Sequence, residues 1–112
     1  ADLFRGRRVV LTPTERSDPA AVARLAAFWR ALGSVVQTLI PEAHDEAVAW
    51  TSHLPHLVAS ALAGCLPTEF ANLVATGFRD TTRLASSDPA LWQSILQANR
   101  EAVLAALAGF QG

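Results

Sequence analysis

The chain has 112 residues, the length of one domain or of part of a larger protein. Apolar residues make up 51% and charged residues 17%, so some apolar surface is expected to face another subunit or another domain. Nine basic against ten acidic residues give a net charge of −1, which excludes a broad basic field for nucleic acid or anionic lipid, and no apolar run reaches membrane-spanning length.

Residues 1–8 contain no signal-peptide apolar core. The single cysteine, Cys65, cannot form an internal disulfide and reads as a small buried hydrophobe within Leu62-Ala63-Gly64-Cys65-Leu66. The expectation is a soluble cytoplasmic protein.

The β-branched run at residues 8–12 ends at Pro13 and reads as a buried strand. Ser17-Asp18-Pro19 supplies a helix cap with proline at the first helical position. Val22, Leu25, Trp29 and Leu32 follow at helical spacing, and Gly33 is a stop. Residues 34–40 form a second strand closed by Pro41. A helix of this length between two strands reads as a crossover unit of an α/β sheet. Two strands do not make a stable sheet by themselves, so this β-α-β unit looks like the end of a larger sheet.

After Pro41 the pattern is helical. Residues 42–65 read as one apolar helix, a second runs from Pro67-Thr68 to about Leu84, and a third opens at Ser87-Asp88-Pro89 and continues to about Ala108. The fold class is therefore mainly α: a terminal β-α-β over residues 1–41, then an all-helical domain over 42–112.

Residues 44–56 carry all three histidines, His44, His53 and His56, with Asp45, Ser52 and Pro55. At about 100° per residue, Asp45, Ser52 and His56 share one stripe of a regular helix, with His53 roughly 80° to one side. That reads as one wall of a polar pocket. Pro55 frees the carbonyl of Thr51 and either kinks the helix for packing or aims His53 and His56 into a cavity. The zincin spacing is missing and no cysteine pair assists, so no metal site is read.

Arg79 and Arg83 lie four apart, with Asp80 three before Arg83 and Thr81 and Thr82 between them. This is either a solvated, salt-bridged face or a site where one guanidinium receives a carboxylate. Trp92 and Asn99 share a face of the last helix, and a buried Asn99 needs a partner. No phosphate loop, dinucleotide fingerprint or nucleophile elbow occurs, and no residue reads as catalytic.

In order, Leu3-Phe4, Leu11-Thr12-Pro13-Thr14, Pro41-Glu42-x-His44-Asp45, Ser52-His53-Leu54-Pro55-His56, Gly77-Phe78-Arg79-Asp80-x-Thr82-Arg83-Leu84-Ala85, and Trp92 with Asn99 form a series. It resembles the prephenate and arogenate dehydrogenases of tyrosine biosynthesis. Those enzymes join an N-terminal dinucleotide-binding domain to a helical domain that dimerises. The resemblance implies that Arg83 receives a substrate carboxylate and that His53, His56, Ser52 and Trp92 line the substrate pocket. It implies supporting polar contacts for His44 and Asp45. The implied partners are prephenate or arogenate and a second copy of the chain. The implied cofactor is NAD or NADP, bound mainly by an N-terminal part absent from this sequence.

The family's Gly-rich loop and its His-Pro-Met-Ala-Gly segment, whose histidine takes the substrate hydroxyl proton as hydride leaves, are both absent here. The chain alone is therefore expected to be inactive in oxidative decarboxylation. The rival reading is a non-catalytic helical dimerisation or effector-binding module.

Overall fold

The computed structural model describes residues 2–112. They fall into two compact units, one ending at Asp45 and the other beginning at Glu46.

In the first unit, β1 (Arg8–Leu11) and β2 (Val35–Thr38) pair in parallel, with Arg8 opposite Val35 and Leu11 opposite Thr38. Helix α1 (Pro19–Ala31) connects them. Its start is the expected cap: the Asp18 carboxylate accepts the Ala20 N–H at 3.0 Å, and proline follows. At its end the Ser34 N–H donates to the Trp29 carbonyl and the Gly33 N–H to the Arg30 carbonyl, a Schellman motif. Gly33 has φ +86°, a conformation that favours glycine, and a Cβ there would sit a tight 3.3 Å from Arg5 Cα. Phe4 and Phe28 each meet Trp29 edge-on. Leu25, Phe28, Val35 and Ile40 stay exposed, in keeping with a sheet of only two strands.

Helix α2 (Pro41–Val48) leads into a π-turn at Ala49–His53, then α3 (Leu54–Cys65). The single helix expected over 42–65 is thus interrupted. Pro55 has no N–H to offer Thr51, and the Leu54 N–H instead reaches back five residues to the Ala49 carbonyl. The Thr51 hydroxyl donates to the Ala47 carbonyl at 2.7 Å, which also favours bending.

The expected second helix is broken as well. A 3-10 segment (Thr68–Leu73) stops at extended Val74 and Ala75 before α4 (Thr76–Thr82), which ends in a 3-10 turn at Arg83–Ser86. Asn72, Val74, Thr76 and Gly77 are all weak helix formers, and no side chain caps the join. The last expected helix divides at Asn99 into α5 (Pro89–Ala98) and α6 (Arg100–Gln111). Asp88 caps α5 as Asp18 caps α1, at 3.0 Å from the Ala90 nitrogen.

The core of the second unit is thin. Ala49, Leu54, Val103 and Ala106 are buried, with Val58, Leu96 and Leu107 packed around them. Ala49 and Ala106 are small enough for α6 to lie against the π-turn. Gly109 continues that approach: a Cβ there would be 2.9 Å from Trp50 Cη2. Leu73, Leu91, Leu104 and Phe110 are left exposed. Cys65 is exposed rather than buried, at the C-terminal end of α3.

Candidate functional site

The π-turn decides which side chains meet. Its extra residue shifts the helical phase, so the stripe expected through Ser52 and His56 does not form. Ser52 is exposed, whereas His53 and His56 are both buried. Three residues apart across the start of α3, the two imidazoles converge on Trp92 of α5. His56 stacks on the indole, centroids 3.5 Å apart and planes 14° from parallel. His53 meets the same indole edge-on at 6.2 Å and 83°. The Asn99 amide, from the break between α5 and α6, lies 3.2 Å from His53 Nδ1.

His56 is 5% exposed. Its Nδ1 lies 3.5 Å from the Ser60 hydroxyl, at the limit of a hydrogen bond. Its Nε2 is buried with no hydrogen-bond partner among the described residues. Orphaned buried polar atoms are uncommon in proteins and call for a specific explanation. Here the ring borders a cavity of about 600 Å³, within the range of small-molecule sites. Its walls are mainly apolar, with Leu57, Leu96, Val103, Leu104 and Leu107. Ser60, Ser87, Gln93, Gln97 and Arg100 provide the polar points beside His56 and Trp92. An apolar cleft with few polar groups suits an aromatic or alicyclic ligand bearing one or two charged substituents.

His53 is not among the residues that line this cavity. The other expected site residues lie elsewhere. Arg83 is exposed at the start of the 3-10 turn packed on α3; Ala85 of that turn lines the cavity, and Arg83 does not. Arg83 and Asp80 form no ion pair among the described residues. Thr81 and Thr82 donate their hydroxyls to the carbonyls of Gly77 and Phe78. His44 Nδ1 and Asp45 Oδ1 pair at 3.0 Å in the first unit. Sequence reasoning missed Ser60, Gln93, Gln97 and Arg100. The usable signal was spacing: Ser60 is one turn from His56, and Gln93 and Gln97 are one turn apart beyond Trp92.

A dinucleotide does not fit the residues of the first unit. The segment between β1 and α1 contains no glycine, and the Asp18 carboxylate already occupies the α1 N-terminus, where it would repel a phosphate.

Residues 40–112 match the family described as prephenate dehydrogenase, dimerization domain. A cyclohexadienyl dehydrogenase from Zymomonas mobilis is 38% identical across 98% of this chain, which spans 40% of that protein. A prephenate dehydrogenase from Aquifex aeolicus, solved with hydroxyphenyl propionate and NAD+, superposes with a TM-score of 0.85 at 37% identity, over 98% of this chain and 41% of its own. The arogenate dehydrogenase of Synechocystis superposes with a TM-score of 0.81 at 36% identity, over 98% and 42%. The chain thus spans about two fifths of the length of these relatives, corresponding to their C-terminal part. On its sequence and its fold alike, the chain belongs to the prephenate dehydrogenase family and carries that family's dimerization domain.

Proposed function

We propose that this chain supplies the substrate-holding and dimer-forming part of an NAD(P)-dependent prephenate or arogenate dehydrogenase. The observation that carries the reading is the orphaned Nε2 of buried His56, stacked on Trp92 at the edge of the cavity. A ligand oxygen would satisfy that nitrogen, and the apolar walls would cover a cyclohexadiene ring. The Aquifex relative was solved with an aromatic carboxylic acid and NAD+, a ligand of the same chemical class.

The roles divide accordingly. His56 holds a polar group of the substrate at the cavity edge, His53 stands behind it against Trp92, and the apolar walls cover the ring. Arg83, close in sequence to the cavity-lining Ala85, receives a substrate carboxylate. Ser52 has no part in the wall as it is built here. The nicotinamide accepts hydride when bound, and its grip lies outside this chain. Arg100 is the second candidate for the carboxylate, because it lines the cavity and has no ion-pair partner among the described residues.

The test is steady-state kinetics of Arg83→Ala and Arg100→Ala in a dehydrogenase that joins this segment to a nucleotide-binding half. Loss of the guanidinium that holds the carboxylate should raise KM at least about tenfold, because charge-assisted hydrogen bonds are strong. An effect confined to Arg100→Ala moves the carboxylate to that residue. Parent KM and kcat in both variants would remove both arginines from the site.

A further inference from the structure

Asn99 interrupts what would otherwise be a continuous helix from Pro89 to Gln111. Its backbone lies at φ −115° and ψ 33°, outside the α-helical region. A break of this kind costs helical hydrogen bonding and calls for a reason. The neighbouring backbone is satisfied on either side, since the Asn99 N–H donates to Ile95 and the Asn99 carbonyl accepts from Val103. The side chain is what the break redirects: its amide nitrogen lies 3.2 Å from His53 Nδ1, on an element 46 residues away in sequence.

The amide is oriented with its nitrogen toward the ring, and because that nitrogen only donates, the facing Nδ1 offers a lone pair. A neutral imidazole that accepts at Nδ1 carries its hydrogen on Nε2. We propose that Asn99 is a positioning residue that holds His53 as the neutral Nε2–H tautomer and fixes the plane of its ring. Through His53 it also sets the rest of the assembly, because the His53 ring meets Trp92 edge-on and Trp92 is the surface on which His56 stacks. Asn99 and His53 are both absent from the cavity lining, which His56 and Trp92 reach.

The tautomer is a property of this chain alone. Its consequence for turnover, that a fixed His53 keeps Trp92 and His56 in place at the cavity, rests on the reading given under Proposed function.

The experiment is long-range 1H–15N correlation NMR of the three imidazoles in the 15N-labelled chain at about pH 8, above the ordinary histidine range. In the parent, His53 should show hydrogen on Nε2 and a bare Nδ1. In Asn99→Asp the side chain keeps its shape but has only acceptors, so Nδ1 should gain hydrogen. The shift should be at least about tenfold, the order expected for a hydrogen bond to a charged group. A parent His53 with hydrogen on Nδ1 overturns the proposal, and that spectrum alone decides it if the variant fails to fold. A variant that still shows a bare Nδ1 overturns it too. With the tautomer as stated, a substrate KM indifferent to Asn99→Asp in the whole enzyme would count against the substrate-site reading and leave the positioning role intact.

Discussion

A buried hydrogen-bonding group without a partner costs a fold about 1–3 kcal/mol, and His56 Nε2 is in that position. Such a cost is tolerated where function needs the atom. His56→Phe keeps an aromatic ring on Trp92 and removes the orphan, and the adjoining cavity gives the larger ring room. Stability in a urea titration should stay at the parent value or rise by about 1 kcal/mol. A loss of more than about 1 kcal/mol would mean that the nitrogen serves the fold instead. At this scale the sequence was partly legible. His53, His56 and Trp92 stood out by residue type and spacing, and they meet. Ser52 was placed with them on the assumption of a regular helix. Arg100 and Ser60 carried no signal in themselves, because a lone arginine or serine among apolar residues reads as surface.

The elements explain why those assignments divided as they did. Pro55 was visible as a proline in a helical pattern, with a kink as one outcome. The structure resolves it as a π-turn, whose extra residue turns Ser52 outward and leaves His53 and His56 together. Periodicity cannot see such a turn, because the residues that make it are the ones whose phase it changes. Pro55→Ala restores a donor to Thr51 and should let the turn close into α-helix. Amide hydrogen exchange should then slow across residues 51–55, while unchanged exchange would show that Pro55 is not what holds the turn open. Helix starts were far easier to read. Both Asp-Pro caps form as expected, and their mechanism is local. Asp88→Ala removes the acceptor for the Ala90 N–H and should cost about 1 kcal/mol in chemical denaturation; no loss would mean that water replaces the cap in full. The break at Val74-Ala75 had a local signal in Asn72, Val74, Thr76 and Gly77, whereas the break at Asn99 escaped sequence reading, since its side chain answers to His53 far along the chain.

For the whole chain, the excess of apolar residues was the most reliable signal of how the molecule is used. In the second unit only small or singly placed apolar side chains are buried, and Leu91 and Phe110 remain on the outside. That distribution fits a domain whose core is completed by a second copy, as the family description implies. Sedimentation equilibrium should give twice the 11.9 kDa of one chain, with a Tm that rises with protein concentration. A single-chain mass at all concentrations would contradict that assembly. The β-α-β segment likewise leaves Val35 and Ile40 exposed beside a sheet of two strands.

The claim that binds these scales together is that the stacked His56 faces substrate. Its most direct test is the kinetics of His56→Phe in a dehydrogenase carrying this segment, with prephenate and with arogenate in turn. The expected result is a KM raised about 10- to 100-fold for one of them, the size of a lost hydrogen bond to a charged ligand, in a protein at least as stable as its parent. Parent KM and kcat for both substrates would contradict the account.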